Sequence, residues 1–343
     1  MVFMAGLAGS VQAQETVDLT ISTGYPTTFI WAATMEDTFV PKVDEYLKEA
    51  GGEYVINWTE AYGGTLGGPA DQGELTEIGA VDIGNVVLPV EQDILPLESV
   101  AYIVPFGTDD VKVATESVHT MRDSIPEMTQ AWTDAGMKYL GAVSLDSYHL
   151  LSNTPIDSVE DMDGLKVGAV GLNQLWLSET GAAPVSITAV SSYTDMQTGV
   201  IDAIILTPSL MASSRVYEVA EYLTLVNFGS IFQLSLAANS GRWDSLPEPV
   251  KEAITKASDD WRAETVARLE TAHDEGIETM KEAGIKISEL TPEARSAWAE
   301  KLPNVPGDWA GDDPVRQKVV NAYIKAITDA GTELPRDWQI GGE

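Results

Sequence analysis

The chain has 343 residues, of which 44% are hydrophobic and 8% aromatic, a composition typical of a folded globular protein. Its 53 acidic residues outnumber 20 basic ones and give a formal net charge of −33. A surface this negative repels nucleic-acid phosphates and anionic lipid headgroups, which excludes both as partners. The acids are spread along the chain, which favours a solvated acidic surface suited to a salty medium over a receptor for cations.

The N-terminal residues indicate export. Residues 1–9 are apolar and small, and Val11-Gln12-Ala13 resembles a small-residue cleavage site. We therefore expect residues 1–13 to be the remnant of a signal peptide and the mature protein to be released into the periplasm; a short buried N-terminal segment is the alternative. The chain has no cysteine, which excludes disulfides, thiolate chemistry and Cys-based zinc sites.

The first third of the chain alternates predicted strands and helices. Hydrophobic periodicity predicts strands over 17–23, 54–58 and 81–87 and helices over 32–50 and 72–79. Pro41 is expected to kink the first helix, and a glycine-rich turn at 63–68 precedes the second. This order predicts a mostly parallel sheet covered by helices.

The same alternation returns after a helical stretch, and this predicts a second α/β lobe. The predicted elements are a helical stretch over 110–135, strands over 137–143, 148–152, 165–170 and 200–206, and a helix over 175–180. A long helix predicted over 249–283 is able to lie across both lobes, and a last amphipathic helix is predicted over 315–327.

The predicted lobes are discontinuous in sequence. We assign residues 14–143 plus 228–265 to lobe I, and residues 144–227 plus 266–343, with the C-terminal helices, to lobe II. No extended flexible linker separates them, so short ordered crossings must join them and leave a cleft between two rigid bodies.

The sequence offers little for catalysis. His119 and His273 fall on predicted helices in surface or interhelix positions, while His149 lies near the presumed cleft, where a packed histidine is favoured over a ligand contact. No nucleophile elbow, phosphate-loop signature or zinc-binding helix motif is present, and the glycine-rich turn contains no Lys or Arg to hold a phosphate. We therefore predict no catalytic residue, cofactor or metal; an enzyme working through His149 and a nearby acid is the competing class.

Three motifs in a fixed order carry a family resemblance. They are Asp161-Met162-Asp163-Gly164-Leu165-Lys166-Val167, Gly181-Ala182-Ala183-Pro184-Val185 and Tyr193-Thr194-Asp195-Met196-Gln197-Thr198-Gly199-Val200-Ile201-Asp202. At these places the chain resembles the solute-binding subunits of tripartite ATP-independent periplasmic (TRAP) transporters, a family named for dicarboxylate uptake.

The resemblance implies an α/β periplasmic binding protein fold whose two lobes close over a small solute and deliver it to membrane permease subunits. A receptor of this kind has no membrane insertion of its own and no catalytic activity. An extracytoplasmic sensor that signals to a kinase is a further alternative.

The chain departs from the family at two positions that usually carry cations. Gly168 stands where the family places an arginine that grips a substrate carboxylate, and Tyr148 stands near the second cation. Because a buried carboxylate without a cation is costly, a dicarboxylate is not the expected ligand. A small amine or amino alcohol such as ethanolamine is favoured narrowly; a neutral polyol and an atypically bound organic acid remain open.

The candidate ligand-binding residues follow from this hypothesis. A cation prefers a carboxylate and aromatic faces, amide side chains orient a polar ligand, and Tyr193 belongs to the third family motif. The candidates are the acids Glu60, Glu91 and Asp146, the aromatic residues Tyr25, Phe29, Trp31, Tyr148, Trp176, Tyr193 and Phe232, the amides Asn85 and Asn173, and Gly168.

Overall fold

The computed structural model describes residues 14–231 and 233–341, so the predicted signal peptide at 1–13 and the candidate Phe232 lie outside the described residues. Strands in the described part form two separate sheets. Their bounds are β1 (Glu15–Ser22), β2 (Tyr54–Ala61), β3 (Ile83–Val87), β4 (Met137–Ser144), β5 (His149–Ser152), β6 (Lys166–Ala169), β7 (Ala183–Ser186), β8 (Ala203–Leu206), β9 (Tyr222–Leu225), β10 (Gln233–Asn239) and β11 (Lys286–Glu289).

The first sheet has the strand order β2-β1-β3-β10-β4. Strand β1 pairs in parallel with both β2 and β3, as the alternation of strands and helices predicts. Val17, Leu19 and Ile21 are buried at alternate positions of β1, which places one face of this strand on the core. Strand β10 returns from a distant part of the chain and lies antiparallel between β3 and β4, so this sheet is built from discontinuous segments.

The second sheet has the order β11-β9-β5-β8-β6-β7. Strand β5 is antiparallel to β8 and β9, whereas β6 is parallel to β7 and β8. The two sheets and their helices form the expected two-lobed α/β fold. The lobe boundaries assigned from the sequence remain a prediction.

Helices cover the sheets and connect their strands. Their bounds are α1 (Ile30–Thr34), α2 (Val40–Glu49), α3 (Gln72–Glu77), α4 (Val100–Ile103), α5 (Val111–Ser124), α6 (Pro126–Asp134), α7 (Ser192–Gln197), α8 (Pro208–Ser213), α9 (Ser240–Ser245), α10 (Glu248–Glu282), α11 (Pro292–Lys301), α12 (Val305–Ala310) and α13 (Pro314–Asp329). Among the described residues, no helix is both long and apolar enough to cross a membrane.

The predicted long helix is confirmed: α10 has 35 residues. It packs on elements of both lobes. Its N-terminal half contacts α2 and β4, and its C-terminal half contacts α8. Gly276 permits the second contact, because a side-chain carbon here would lie 2.5 Å from the Pro208 carbonyl oxygen.

Three predicted helices differ in the structure. The first one is interrupted by a π-helical turn over Met35–Phe39, which places Pro41 in the first turn of α2 rather than in a helix interior. The stretch at 110–135 is two helices, because Pro126 begins the second. The helix predicted over 175–180 is instead a 3₁₀ segment over Gly171–Leu177, which buries Asn173 and Trp176 one three-residue turn apart.

Two chain segments that run between the sheets pair with each other. The Tyr148 N–H donates to the Gly229 carbonyl at 3.1 Å, and the Phe228 N–H donates to the Tyr148 carbonyl at 3.1 Å. These short crossings hold the aromatic side chains of Tyr148 and Phe228 at the junction of the lobes.

Candidate functional site

An aromatic cluster follows the end of β1. The rings of Tyr25, Phe29 and Trp31 lie 5.0 to 5.2 Å apart, centroid to centroid. The chain reaches this position through Gly24, where a side-chain carbon would lie 2.2 Å from the Pro69 nitrogen. The Trp31 ring is buried, and its Nε1–H has no hydrogen-bond partner in the described part of the chain. A buried donor left unpaired is costly, which makes this N–H a candidate for ligand binding.

A second set of aromatic rings surrounds Trp176. Its indole ring stacks on Tyr102 at 5.8 Å and on Phe228 at 5.3 Å, and it meets the edge of Tyr148 at 5.6 Å. The Trp176 Nε1–H donates to the Tyr102 carbonyl at 3.0 Å. Tyr102 belongs to α4, Trp176 to the 3₁₀ segment, and Tyr148 and Phe228 to the two crossings, so four parts of the chain converge here.

Three phenols connect the two sets of rings. Burial raises the pKa of Tyr25 to about 12 and also raises the pKa values of Tyr102 and Tyr148. Interaction between the Tyr102 and Tyr148 hydroxyls raises the pKa of Tyr102 further and offsets part of the rise at Tyr148. Tyr25 also raises the pKa values of both phenols electrostatically, which relates the first aromatic set to the second. All three hydroxyls are neutral at physiological pH.

Asn173 supplies an unpaired amide beside these phenols. Its side chain is fully buried, and neither amide atom has a hydrogen-bond partner among the described residues. The amide lies near the Tyr148 hydroxyl and partly offsets the rise that burial causes in the pKa of Tyr148. The amide and the hydroxyl do not have the geometry of a hydrogen bond. Burying an amide without partners costs a few kcal/mol, about 1–3 kcal/mol in protein mutational data. We call Tyr25, Phe29, Trp31, Tyr102, Tyr148, Asn173 and Trp176 the interlobe cluster.

The position of the family's arginine is occupied by apolar side chains. A side-chain carbon on Gly168 would lie 2.9 Å from the terminal methyl groups of both Ile187 and Ile201, and both isoleucines are buried. A side chain here would have to displace these methyl groups. Gly168 therefore packs against Ile187 and Ile201, and its role as a ligand contact stays a prediction.

Two arginines with little exposed surface are paired elsewhere. Arg122 binds Glu98 through both terminal nitrogens, and Glu98 also accepts from the Trp132 Nε1–H at 2.8 Å. Arg295 donates to the Asn227 carbonyl at 2.9 Å and lies 4.0 Å from Asp109. In the described part of the chain, no Lys or Arg is recorded in a hydrogen bond, ion pair or ring contact with the interlobe cluster.

The three candidate acids lie at three separate places. Glu60 is exposed and accepts from the Tyr62 hydroxyl at 2.8 Å. Glu91 packs against α3, where it accepts from the Gly73 N–H and burial raises its pKa. The sequence analysis offered the acids as alternative partners for a cation. Both residues are committed to local contacts outside the interlobe cluster.

Asp146 lies closest to the cluster, two residues before Tyr148, but its carboxylate is engaged. It accepts from the Ser209 backbone N–H at 3.1 Å and from the Ser209 hydroxyl, and it pairs with His273 Nδ1 at 3.3 Å. The hydrogen bond to Asp146 raises the pKa of His273 although burial opposes it. The predicted amine therefore finds no unengaged carboxylate among the described residues of the cluster.

The polar groups of two other candidates are engaged within the protein. Asn85 is buried and paired: its Oδ1 accepts from the Thr23 hydroxyl at 3.2 Å, and its Nδ2 donates to the Ser235 carbonyl at 3.4 Å. Tyr193 lies on α7, packed near the 3₁₀ segment Val216–Val219, and its hydroxyl accepts from Gln197 at 3.4 Å. Neither is a free group facing the interlobe cluster.

The structure thus unites six of the candidates: Tyr25, Phe29, Trp31, Tyr148, Asn173 and Trp176. It adds Tyr102, which the sequence analysis missed. Tyr102 lies in the apolar run that forms α4, and nothing in its spacing distinguishes it from a core residue. Only the meeting of α4 with the 3₁₀ segment makes it part of a site.

The histidine nearest the crossings is a packed residue. His149 Nδ1 accepts from the Asn227 backbone N–H at 3.2 Å, and the ring lies 5.6 Å from that of His273. Burial and the neighbouring His273 lower the pKa of His149 to about 3, so it is neutral near pH 7. This placement agrees with the packed histidine favoured by the sequence.

Comparison with known proteins identifies the family. The model of the bacterial extracellular solute-binding protein family 7, DctP, matches residues 35–310. The chain belongs to this family. The resemblance to TRAP solute-binding proteins is thereby confirmed, and members of the family are transport receptors.

Two curated relatives indicate the range of the family. The chain is 31% identical over 209 residues to the C4-dicarboxylate-binding periplasmic protein DctP of Rhodobacter capsulatus, a match that covers 59% of this chain and 57% of that protein. It is 25% identical over 251 residues to the ectoine-binding periplasmic protein TeaA of Halomonas elongata, covering 71% of this chain and 72% of the relative.

Solved structures of TRAP-type receptors share the fold. The Bordetella pertussis receptor DctP6, solved with pyroglutamic acid, has a TM-score of 0.79 at 20% identity and covers 90% of this chain and 100% of its own. A Chromohalobacter salexigens protein solved with D-glucuronate has a TM-score of 0.76 at 23% identity, covering 90% of this chain and 99% of its own. At this identity the likeness shows the fold alone.

Proposed function

We propose that this solute-binding protein is the periplasmic receptor of a TRAP transporter and that it captures a small uncharged polar solute between its lobes. The observation that carries the proposal is the interlobe cluster, which combines neutral phenols, an unpaired indole N–H and an unpaired amide with no recorded contact to Lys or Arg. Such a site can replace the hydrogen bonds that an uncharged solute makes with water. It cannot compensate a charged solute for the hydration that it loses on burial.

Export and delivery follow the family. Residues 1–13 would direct the chain to the periplasm, and the closed, loaded form would be the one that membrane permease subunits recognise. Because the solute contacts both lobes, binding shifts the population from open to closed. In this account the protein performs no chemistry on the solute.

The relatives named above bind dicarboxylates, ectoine, glucuronate or pyroglutamic acid. An organic acid bound through the family's arginine does not suit this chain, because Ile187 and Ile201 fill the space beside Gly168. The amine or amino alcohol favoured by the sequence is also less well supported, because Glu60, Glu91 and Asp146 are all engaged elsewhere. An uncharged solute needs neither an arginine nor a carboxylate as a partner.

A thermal-shift panel tests the proposal. Its classes are carboxylates such as succinate, amines such as ethanolamine, polyols, and uncharged amides. Ligand at 100 times its Kd stabilises the folded state by about 2.7 kcal/mol, so a true ligand raises the melting temperature measurably. We expect a shift from an uncharged class and none from succinate or ethanolamine.

Mass spectrometry of the bound ligand separates the receptor from the competing enzyme. A receptor returns the ligand unchanged and in stoichiometric amount, whereas an enzyme converts it. Binding confined to succinate or ethanolamine would contradict the uncharged-solute proposal, and turnover would contradict the receptor.

A further inference from the structure

We infer that the solute carries a carboxamide or lactam group, whose N–H and C=O both pair with the side chain of Asn173. This inference rests on the proposed function and specifies the solute class. It starts from the observation that the donor and the acceptor of one fully buried amide are both unpaired in the described part of the chain. A ligand with only one complementary group would leave the other amide atom without a partner.

The amide geometry selects the complementary group. An asparagine side chain presents an N–H donor and a carbonyl acceptor in one plane and on adjacent positions. A lactam or primary carboxamide presents the same two groups in the same plane, so the two amides satisfy each other through a pair of parallel hydrogen bonds. A ketone or ester lacks the donor, and an ammonium lacks the acceptor.

The surroundings favour a flat, uncharged molecule. Trp176 stacks on Tyr102, and its 3₁₀ segment also carries Asn173 three residues earlier, so planar rings lie beside the unpaired amide. The Tyr102 and Tyr148 hydroxyls stay protonated because burial raises their pKa values, so they present no negative charge to a cation. On the other side of the cluster, the unpaired Trp31 N–H is available to a further acceptor on the solute.

A polyol matches this site less well. Each of its hydroxyl groups needs partners when buried, and the cluster supplies few unpaired atoms: two on Asn173 and one on Trp31. A planar amide needs only these and covers the remaining aromatic surface with apolar atoms. Polyols are therefore the alternative outcome of the test.

The test uses matched probes that differ in one group. Calorimetric titration of the full chain compares 2-pyrrolidinone with cyclopentanone, which lacks the N–H, and with pyrrolidine, which is a cation. It also compares nicotinamide with 3-acetylpyridine, which again lacks the amide N–H. We expect at least one amide to bind at least about tenfold more tightly than its matched ketone, because the ketone leaves the Asn173 carbonyl unpaired.

Two variants of Asn173 locate the effect. Asn173→Leu keeps the size of the side chain and removes both polar atoms, so it should abolish the preference for the amide over the ketone. Asn173→Asp keeps the shape and exchanges the donor for an acceptor, and it should weaken amide binding by at least about tenfold. Asn57→Leu, on the exposed face of β2, is the control. It should change neither the preference for the amide over the ketone nor the affinity for the amide. Circular dichroism establishes that each variant is folded.

The outcomes are distinguishable. Equal affinities for amide and ketone in the unmodified chain overturn the inference even if the Asn173 variants fail to fold. Tight binding of a polyol, amine or acid, with no amide bound, overturns the amide class but leaves the receptor standing. If no compound of any class binds, the proposed function and the inference fail together.

Discussion

Trp31 and Trp261 make opposite use of the same indole N–H. The Trp261 Nε1–H donates to the Trp31 carbonyl at 3.2 Å, whereas the Trp31 Nε1–H has no partner among the described residues. We therefore expect Trp31→Phe to lower the unfolding free energy by less than Trp261→Phe does, because only the second substitution also breaks a hydrogen bond, and to weaken solute binding by at least about fivefold.

Trp261→Phe is the matched control. It removes a hydrogen bond made within the protein and leaves the Trp31 carbonyl with the hydrogen bond from the Thr34 hydroxyl, so it should lower the unfolding free energy by about 1–3 kcal/mol and affect binding less. Urea denaturation and calorimetric titration measure the two quantities. The assignment of Trp31 to the solute would be wrong if its replacement destabilised the fold as much as that of Trp261 while binding stayed unchanged.

Two histidines give the stability opposite pH dependences. Burial lowers the pKa of His149 from 6.5 to about 3, so its contribution is present above pH 6.5 and is lost progressively as the pH falls below that value. Each pH unit below 6.5 costs about 1.4 kcal/mol, or about 2 kcal/mol by pH 5. His149→Gln should remove this loss, measured as the unfolding free energy of both proteins at pH 7 and pH 5.

His273 serves as the control, because its effect on the pH dependence of the unfolding free energy has the opposite sign. Its pair with Asp146 raises its folded pKa above 6.5, so its contribution is present below pH 6.5 and is lost as the pH rises through the folded pKa. His273→Gln should therefore flatten the profile on the alkaline side and leave the acid side unchanged. Equal acid-side slopes in the original chain and in His149→Gln would show that His149 is not neutral and buried.

Site residues could be predicted from the sequence only in part. Tyr25, Phe29 and Trp31 follow a predicted strand at close spacing, and this local pattern was enough to group them. Glu60, Glu91 and Asp146 looked equivalent as acids near predicted cleft strands. In the structure the three carboxylates contact different residues, namely Tyr62, Gly73 and Ser209. Spacing along the chain does not reveal these contacts.

At the scale of elements, the contact between α10 and α8 depends on one glycine. Gly276 lies inside α10, where glycine normally costs up to about 1 kcal/mol relative to alanine. Here a side-chain carbon would lie 2.5 Å from the Pro208 carbonyl oxygen, so Gly276→Ala must push the two helices apart. We expect a loss of about 1–3 kcal/mol in the unfolding free energy, as for other overpacked sites.

Gly241→Ala is the matched control in α9. The added carbon would meet only the Asn239 side-chain oxygen at 3.4 Å, so the substitution should be neutral or stabilising by up to about 1 kcal/mol. Thermal or urea denaturation compares the two variants. A stabilising effect of Gly276→Ala would mean that α10 and α8 do not pack as closely as described.

Long periodic elements were predictable, and short ones were not. Helix α10 follows from its apolar spacing, and its bounds in the structure, Glu248–Glu282, lie within one residue of those predicted. The segment Gly171–Leu177 carries too few residues to distinguish a 3.6-residue period from a three-residue period, so it was assigned as an α-helix and shifted along the chain. The π turn before Pro41 has no pattern of its own in the sequence.

At the scale of the whole molecule, the fold follows from the order of strands and helices, together with three motifs. The pairing of β10 with β3 and β4 could not be predicted from the sequence, because the paired segments are about 150 and about 95 residues apart. The same return of the chain forms the crossing that holds Phe228 beside Trp176. The lobes could therefore be predicted from the local order of elements, whereas the site requires contacts between segments that are far apart in the sequence.

The lobes are expected to separate when no solute is bound. Gly171 of the 3₁₀ segment approaches Pro89 so closely that a side-chain carbon would lie 3.4 Å from the proline ring, and Asn173 beside it is fully buried. We expect this contact to open when a solute enters. Small-angle X-ray scattering should show a smaller radius of gyration with a saturating ligand than without one; identical values in both states would contradict closure on binding.

A crystal structure of the protein carrying the solute that it retains from the cell tests the central claim most directly. The account predicts electron density for an uncharged molecule in contact with Asn173 and the Trp31 Nε1, with no Lys or Arg within hydrogen-bond distance. A bound carboxylate paired with an arginine or lysine, or a solute held away from the interlobe cluster, would contradict it.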